Sequence, residues 1–177
     1  MFIETSGYSF TKELESAFPK VRAELDRLSL ESFKEWYEKD LYTNKWLVYG
    51  LYAFGKKLGA NCRACPETVK AIEQVPDLVT AGFSALMPGT HIKPHKGYTG
   101  AVLRCHLGVN VPEPETCVLK VAGVERSWRE GRCLIFDDTS EHEAWNRGKK
   151  LPLGERLQFS ALAAGARLLS KTYDSKK

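Results

Sequence analysis

Apolar residues recur at Phe10, Leu14, Phe18, Val21, Leu25 and Leu28, three or four apart, with Lys12, Glu13, Glu15, Lys20 and Glu24 off the stripe. That spacing predicts an amphipathic helix over 10–28. Between 31 and 46 the stripe gives way to Phe33, Trp36, Tyr37, Tyr42 and Trp46 among charges. This predicts a second short helix and a loop that lays aromatic rings over a neighbouring surface. A further short helix opens at Pro66, a favoured first-turn residue, runs through Val69 and Ile72, and stops before Pro76.

From about residue 79 the spacing changes to short β-like runs punctuated by Gly, Pro and charged turns, at 79–87, 101–111, 117–122, 132–136 and 156–163. Strands without helices between them predict a sandwich or barrel rather than βαβ units. The chain has 177 residues, 43% hydrophobic and 27% charged, the size and balance of one domain. We therefore expect a single domain over 1–177, with a helical front over 1–76, a β core over about 77–166 and a basic tail over 167–177. A domain of this size needs no metal or disulfide merely to fold, so any metal is expected to serve chemistry.

The net charge is +4, but Arg167 to Lys177 holds four basic residues and one acidic one, which leaves the rest close to neutral. That is no phosphate-binding footprint, and no nucleic-acid partner is expected. The start lacks a charged segment followed by an apolar one, and no apolar run approaches the ~18 to 20 residues of a membrane span. These features predict a cytoplasmic protein with no membrane partner. Five cysteines, an odd number, point to reduced thiols. Cys62 and Cys65 form a CxxC without the second pair or the histidines that zinc requires, and are expected to be packed or exposed thiols before a helix rather than a redox or zinc site.

Candidate chemistry concentrates in the stranded half, which holds all four histidines, His91, His95, His106 and His142. Along the 101–111 strand one face is Ala101, Leu103, Cys105, Leu107 and Val109, and the other is Val102, Arg104, His106, Gly108 and Asn110. In a two-sheet barrel the second face can point into a cavity, aiming an arginine and a histidine at a pocket. The same alternation also suits a solvent-facing side. His95, in a Pro- and Gly-flanked segment, and His142, after Leu134 to Glu141, both fall at strand ends. Two imidazoles delivered from neighbouring strand ends, with open positions between them, suit a non-heme iron site. Arg156 opens the last run beyond a turn-like Pro152-Leu153-Gly154, and its planar fork suits a carboxylate.

The segments Phe83 to Gly97, Arg104-Cys105-His106-Leu107-Gly108, Trp128-Arg129-Glu130-Gly131 and Phe136 to Asn146 together resemble the aspartyl/asparaginyl β-hydroxylase family, in order and in spacing. The resemblance runs from about Trp46 to Ala163. It implies a mainly β fold, a double-stranded β-helix (jelly-roll, cupin-like) barrel with the N-terminal α-helices packed outside. It also implies an Fe(II)- and 2-oxoglutarate-dependent dioxygenase that uses O2, releases succinate and CO2, and hydroxylates an unactivated carbon.

Carried over by matching motif, His95 and His142 would be the catalytic pair that holds iron. Arg156 and Ser84 would grip the distal carboxylate of 2-oxoglutarate, with Trp46, Arg104, Cys105 and His106 as further co-substrate contacts. The turn from Arg147 to Gly154 is longer than the family's pattern, which bears on the register of Arg156. Gly97, two residues after His95, stands where most such oxygenases carry Asp or Glu. The resemblance accounts for this by a two-histidine site with water in the third position, whereas halogenases of the wider superfamily use the same gap for chloride. Asp138, four residues before His142, would orient that water or merely cap a turn.

Val102 stands where animal members carry a basic residue. The chain also lacks their helical-repeat region and the membrane spans of lipid-hydroxylating members. The substrate expected is therefore a small molecule, an amino-acid-like compound or a peptide, hydroxylated at a β-carbon. A halogenase on the same scaffold, or a cupin-like barrel that binds a metal or small acid without turnover, remain as alternatives.

Overall fold

The computed structural model describes residues 1–97, 102–149 and 160–167. Among the described residues four α-helices, α1 (Phe10–Ser16), α2 (Phe18–Leu25), α3 (Gly59–Ala64) and α4 (Pro66–Ile72), accompany twelve strands. The strands are β1 (Phe2–Ile3), β2 (Lys34–Glu35), β3 (Trp46–Ala53), β4 (Lys56–Lys57), β5 (Leu78–Leu86), β6 (Thr90–His95), β7 (Val102–Asn110), β8 (Cys117–Val121), β9 (Val124–Ser127), β10 (Cys133–Asp137), β11 (His142–Asn146) and β12 (Ser160–Arg167).

The larger sheet runs β1-β10-β7-β12-β5-β3-β2, with β4 paired to β3, and the smaller runs β6-β11-β8-β9. Every pairing between these strands is antiparallel. Alternation along the strands separates two cores. One face of the larger sheet buries Leu51, Phe83, Leu107 and Ile135 with Leu14, Val21, Leu25 and Ile72 of the helices. The other face packs Leu86, Phe136 and Ala161 against Ile92, Leu119, Val121 and Ala144 of the smaller sheet. The fold is thus the expected mainly β, two-sheet jelly roll with helices outside.

Three local expectations are corrected. The helix over 10–28 is broken into α1 and α2, because Pro19 lacks the N–H that would continue the first helix and its ring disfavours an unbroken turn there. No α-helix forms over 31–46; short 3-10 turns flank β2, and the aromatics form the ring-covering loop, with Trp36 stacked on Trp46 at 4.7 Å. The segments 46–53, 90–95 and 142–146 are strands that the sequence pattern did not single out. Of the expected run 156–163, residues 156–159 lie outside the described residues, and β12 begins at Ser160. Among the described residues no helix is long and apolar enough to cross a membrane.

Candidate active site

His95 closes β6 and His142 opens β11, and antiparallel pairing sets the two directly opposite each other. Their ring centroids are 4.1 Å apart. Each ring is oriented by the backbone two residues before it: Nδ1 of His95 lies 2.8 Å from the Lys93 carbonyl, and Nδ1 of His142 lies 2.9 Å from the Ser140 carbonyl. A carbonyl only accepts, so each Nδ1 carries a proton and donates, and in the neutral ring the Nε2 lone pair is then the one left for a metal. Burial pushes the His142 imidazole below its ordinary pKa, which favours the same neutral form.

Asp138, 4% exposed, closes this centre. Its Oδ1 is 3.2 Å from Nε of Arg104 and 3.6 Å from Nε2 of His142. Its backbone carbonyl accepts a hydrogen bond from the N–H of Gly97 at 2.8 Å. A Cβ placed on Gly97 would lie 2.0 Å from Oδ2 of Asp138, so glycine is required for the carboxylate to sit there. Among the described residues no group of three His, Cys, Asp or Glu side chains is arranged to hold an ion; the donor set is two imidazoles with a carboxylate beside them.

Arg104 and His106 share the face of β7 that points between the sheets. Nη1 of Arg104 donates to the Thr80 hydroxyl at 3.0 Å. His106 is packed parallel to Trp128 at 6.0 Å and edge-on to Phe136 at 5.2 Å. Burial, with Arg104 nearby, pushes its pKa down to about 3, so it is a neutral ring, and among the described residues its buried Nδ1 has no hydrogen-bond partner. An orphaned buried nitrogen signals a missing polar partner, because leaving one unmade costs about 1–3 kcal/mol. On β3, Nε1 of Trp46 donates to the Ser84 hydroxyl at 2.8 Å.

The structure therefore brings His95, His142, Asp138, Arg104, His106, Trp46 and Ser84 to the inter-sheet side. Cys105 is the exception among the expected site residues. Its side chain belongs to the helix-side core beside Cys133, because neighbours on a strand face opposite ways, so only its main chain follows the site. Arg156 lies outside the described residues. Of the two expected states of Cys62 and Cys65, packed or exposed, the structure has the packed one: both are buried, Cys62 donating to the Leu51 carbonyl at 3.1 Å and Cys65 pushed up to about 11 by burial.

Thr80 escaped the sequence reading, although its place four residues before Ser84 on one strand puts the two on the same face. Trp36, which backs Trp46, was seen as a loop aromatic without a stated partner.

A sequence model of the aspartyl/asparaginyl beta-hydroxylase matches residues 15–152. The chain belongs to that family. It is 38% identical over 156 residues to an ornithine lipid ester-linked acyl 2-hydroxylase of Rhizobium tropici, covering 83% of this chain and 56% of that protein. It is 37% identical over 107 residues to human aspartyl/asparaginyl beta-hydroxylase, covering 56% of this chain and 14% of that protein. The chain thus spans little more than half the length of one relative and a small part of the other. Among solved structures, a Pseudomonas putida prolyl-4-hydroxylase matches with a TM-score of 0.57 at 14% identity, over 88% of this chain and 86% of that one. At that identity the likeness supports the fold, while family membership makes the chain a hydroxylase-family protein.

Proposed function

We propose that the protein is an Fe(II)- and 2-oxoglutarate-dependent hydroxylase, and the observation that carries this reading is the opposed His95–His142 pair with both Nδ1 atoms engaged by carbonyls. Two imidazoles each tied through Nδ1 to a backbone carbonyl keep Nε2 for a shared metal, and a backbone partner on the far nitrogen is the usual support of a metal-binding histidine. When bound, iron with 2-oxoglutarate and O2 supplies an oxidant able to hydroxylate an unactivated carbon, with succinate and CO2 released.

The chain's residues prepare the place. Ser84, with Arg156, is assigned the distal carboxylate of the co-substrate, the Trp46–Ser84 hydrogen bond fixing the hydroxyl. His106 offers its unpartnered Nδ1 to the same molecule, and its ring stays neutral as a donor or acceptor. Arg104, braced by Thr80, holds Asp138, whose carboxylate fills the space left by Gly97 and is assigned the orientation of water on the metal beside it. The apolar inter-sheet core of Leu86, Ile92, Phe136 and Ala144 keeps bulk water from that centre.

The halogenase alternative is disfavoured by the same geometry. Space at Gly97 is filled by the Asp138 carboxylate, and an anion already there opposes a second one such as chloride. A binder without turnover is disfavoured because the paired histidines, Ser84, Arg104 and the orphaned His106 form more polar machinery than holding an ion requires.

For the substrate, the relatives' names share one chemical feature. The 2-position of an acyl chain and the β-carbon of an aspartyl or asparaginyl residue are each a methylene next to a carbonyl carbon. We assign this chain the same reaction on an amino-acid-like, peptide or acyl substrate. Val102 is a buried apolar residue two before Arg104, which suits a substrate without a carboxylate at that point.

The test is anaerobic titration with Fe(II) and then 2-oxoglutarate, followed by the weak visible charge-transfer band of the chelate. The band is expected in the wild type and not in His95→Ala or His142→Ala, and both variants are expected to form no succinate. Iron binding without any band would defeat the co-substrate assignment and restore the non-catalytic barrel.

A further inference from the structure

The β3–β4 hairpin carries an exposed aromatic side chain on a strained backbone. Phe54 is 89% exposed and has φ of 51°, in the left-handed region where a bulky side chain is unfavourable. Glycine or asparagine would occupy that corner at lower cost. Solvent gains nothing from a phenyl ring held there.

The tip is nevertheless firmly built. Tyr52 pairs with Lys57 and Ala53 with Lys56 across the hairpin, and the Gly55 N–H donates to the Val79 carbonyl at 2.7 Å. Glu73 engages both the Tyr52 hydroxyl and Lys57. The segment is thus a fixed projection rather than a loose loop.

Around the ring the exposed residues are apolar or basic, with Lys57 paired to Glu73. Phe54 through Ala60 are all exposed, with Leu58 as a second apolar side chain, 40% exposed. Lys56 and Lys57 lie between the two, and Arg63 follows on α3. Among the described residues Lys56 and Arg63 form no ion pair. An aromatic and an aliphatic side chain flanked by cations on a narrow tip cannot supply the ~1,000 Å² that a stable protein interface buries. The same set suits the boundary of a bilayer, where the ring enters the acyl region and lysine heads remain with anionic headgroups.

The hairpin also adjoins the site. Val79, which holds Gly55, is next to Thr80, and Thr80 holds Arg104, which holds Asp138. We propose that residues 53–58 dock the protein peripherally on an anionic lipid surface, setting the Thr80–Arg104 rim at the membrane so that the substrate is taken from the bilayer. Its substrate half rests on the hydroxylase reading, whereas the surface contact does not. Peripheral contact of this sort needs no membrane span.

The test is cosedimentation of the full chain with vesicles of phosphatidylcholine containing about one third phosphatidylglycerol, and with phosphatidylcholine alone. The wild type is expected to pellet with the mixed vesicles and to be released by salt. Phe54→Ser is expected to weaken partitioning by about tenfold, and Lys56→Gln by about fivefold. Both variants are expected to keep the Fe(II)–2-oxoglutarate band, which reports an intact fold and site. No pelleting of the wild type, equal binding to the two vesicle types, or unchanged binding of both variants would each overturn the proposal. Vesicle binding in a wild type that lacks the band would leave the docking standing and defeat the hydroxylase reading instead.

Discussion

The carboxylate of Asp138 stands where a side chain on Gly97 would begin, with Oδ2 at 2.0 Å from the position of that missing Cβ. The acidic group absent from the His95 segment is thus supplied in space by the turn before β11. Restoring an acid at the glycine should therefore harm the site. Gly97→Asp is expected to weaken Fe(II) binding about 10–100-fold by displacing Asp138, and the double variant Gly97→Asp, Asp138→Gly to recover most of it. Anaerobic calorimetric titration reads both, and wild-type affinity in the single variant would show that the carboxylate is not held there.

The Trp46–Ser84 hydrogen bond makes a graded prediction on the co-substrate side. Ser84→Ala removes the hydroxyl itself and is expected to raise the 2-oxoglutarate concentration for half-saturation about tenfold, since a hydrogen bond to a charged group is worth about 1.5–3 kcal/mol. Trp46→Phe removes only the donor that orients the hydroxyl and should have the smaller effect, with kcat nearly unchanged in both. The opposite ranking would mean that Trp46 touches the co-substrate more closely than Ser84 does.

Much of this site was legible from strand periodicity and motif. Alternation along β7 put Arg104 and His106 on one face, and strand ends were the right place to look for His95 and His142. Periodicity could not say whether that face met solvent or the smaller sheet, because that depends on β6 and β11, whose short runs and Pro94 hid them. Carrying Arg104-Cys105-His106 over as one motif placed Cys105 in the site, where alternation alone would have removed it. The Asp138–Gly97 contact was beyond reach, since it joins residues from different strand ends and shows only as excluded space.

Cys105 offers a direct check on that correction. Its side chain packs with the helix-side core, so Cys105→Val, a similar volume of apolar surface, should leave the Fe(II)–2-oxoglutarate band and its concentration dependence unaltered while changing stability by no more than about 1.5 kcal/mol. A shifted or lost band would return Cys105 to the site.

His106 links the site to acid stability. Its imidazole titrates at about 3 in the folded protein against 6.5 in an unconstrained chain, chiefly through burial. Between those values the unfolded chain binds a proton that the folded chain does not, so stability is full above pH 6.5 and declines as pH falls toward 3. Urea unfolding of the metal-free protein at pH 7 and pH 5 should show this loss, and His106→Phe, which keeps an aromatic ring between Trp128 and Phe136, should reduce it. An equal pH dependence in the variant would place the burden on other groups.

Glu24 predicts a stability effect without a functional one. This buried residue of α2 accepts the N–H groups of Glu67 and Thr68 at 2.9 and 2.8 Å and the Thr68 hydroxyl at 2.6 Å, capping the start of α4 from another helix. Helix starts leave such N–H groups unpaired, and Pro66 at the opening turn removes one donor while Glu24 satisfies the next two. Glu24→Ala would strand both N–H groups in the core and is expected to cost about 2–4 kcal/mol, with Glu24→Gln, which keeps one accepting oxygen, costing less. Because α4 packs on the side of the larger sheet away from His95 and His142, the surviving folded fraction should titrate with Fe(II) and 2-oxoglutarate as the wild type does. Thermal melts read the first effect and the visible band the second. A melting temperature unchanged in Glu24→Ala would mean that water can replace the carboxylate at this cap.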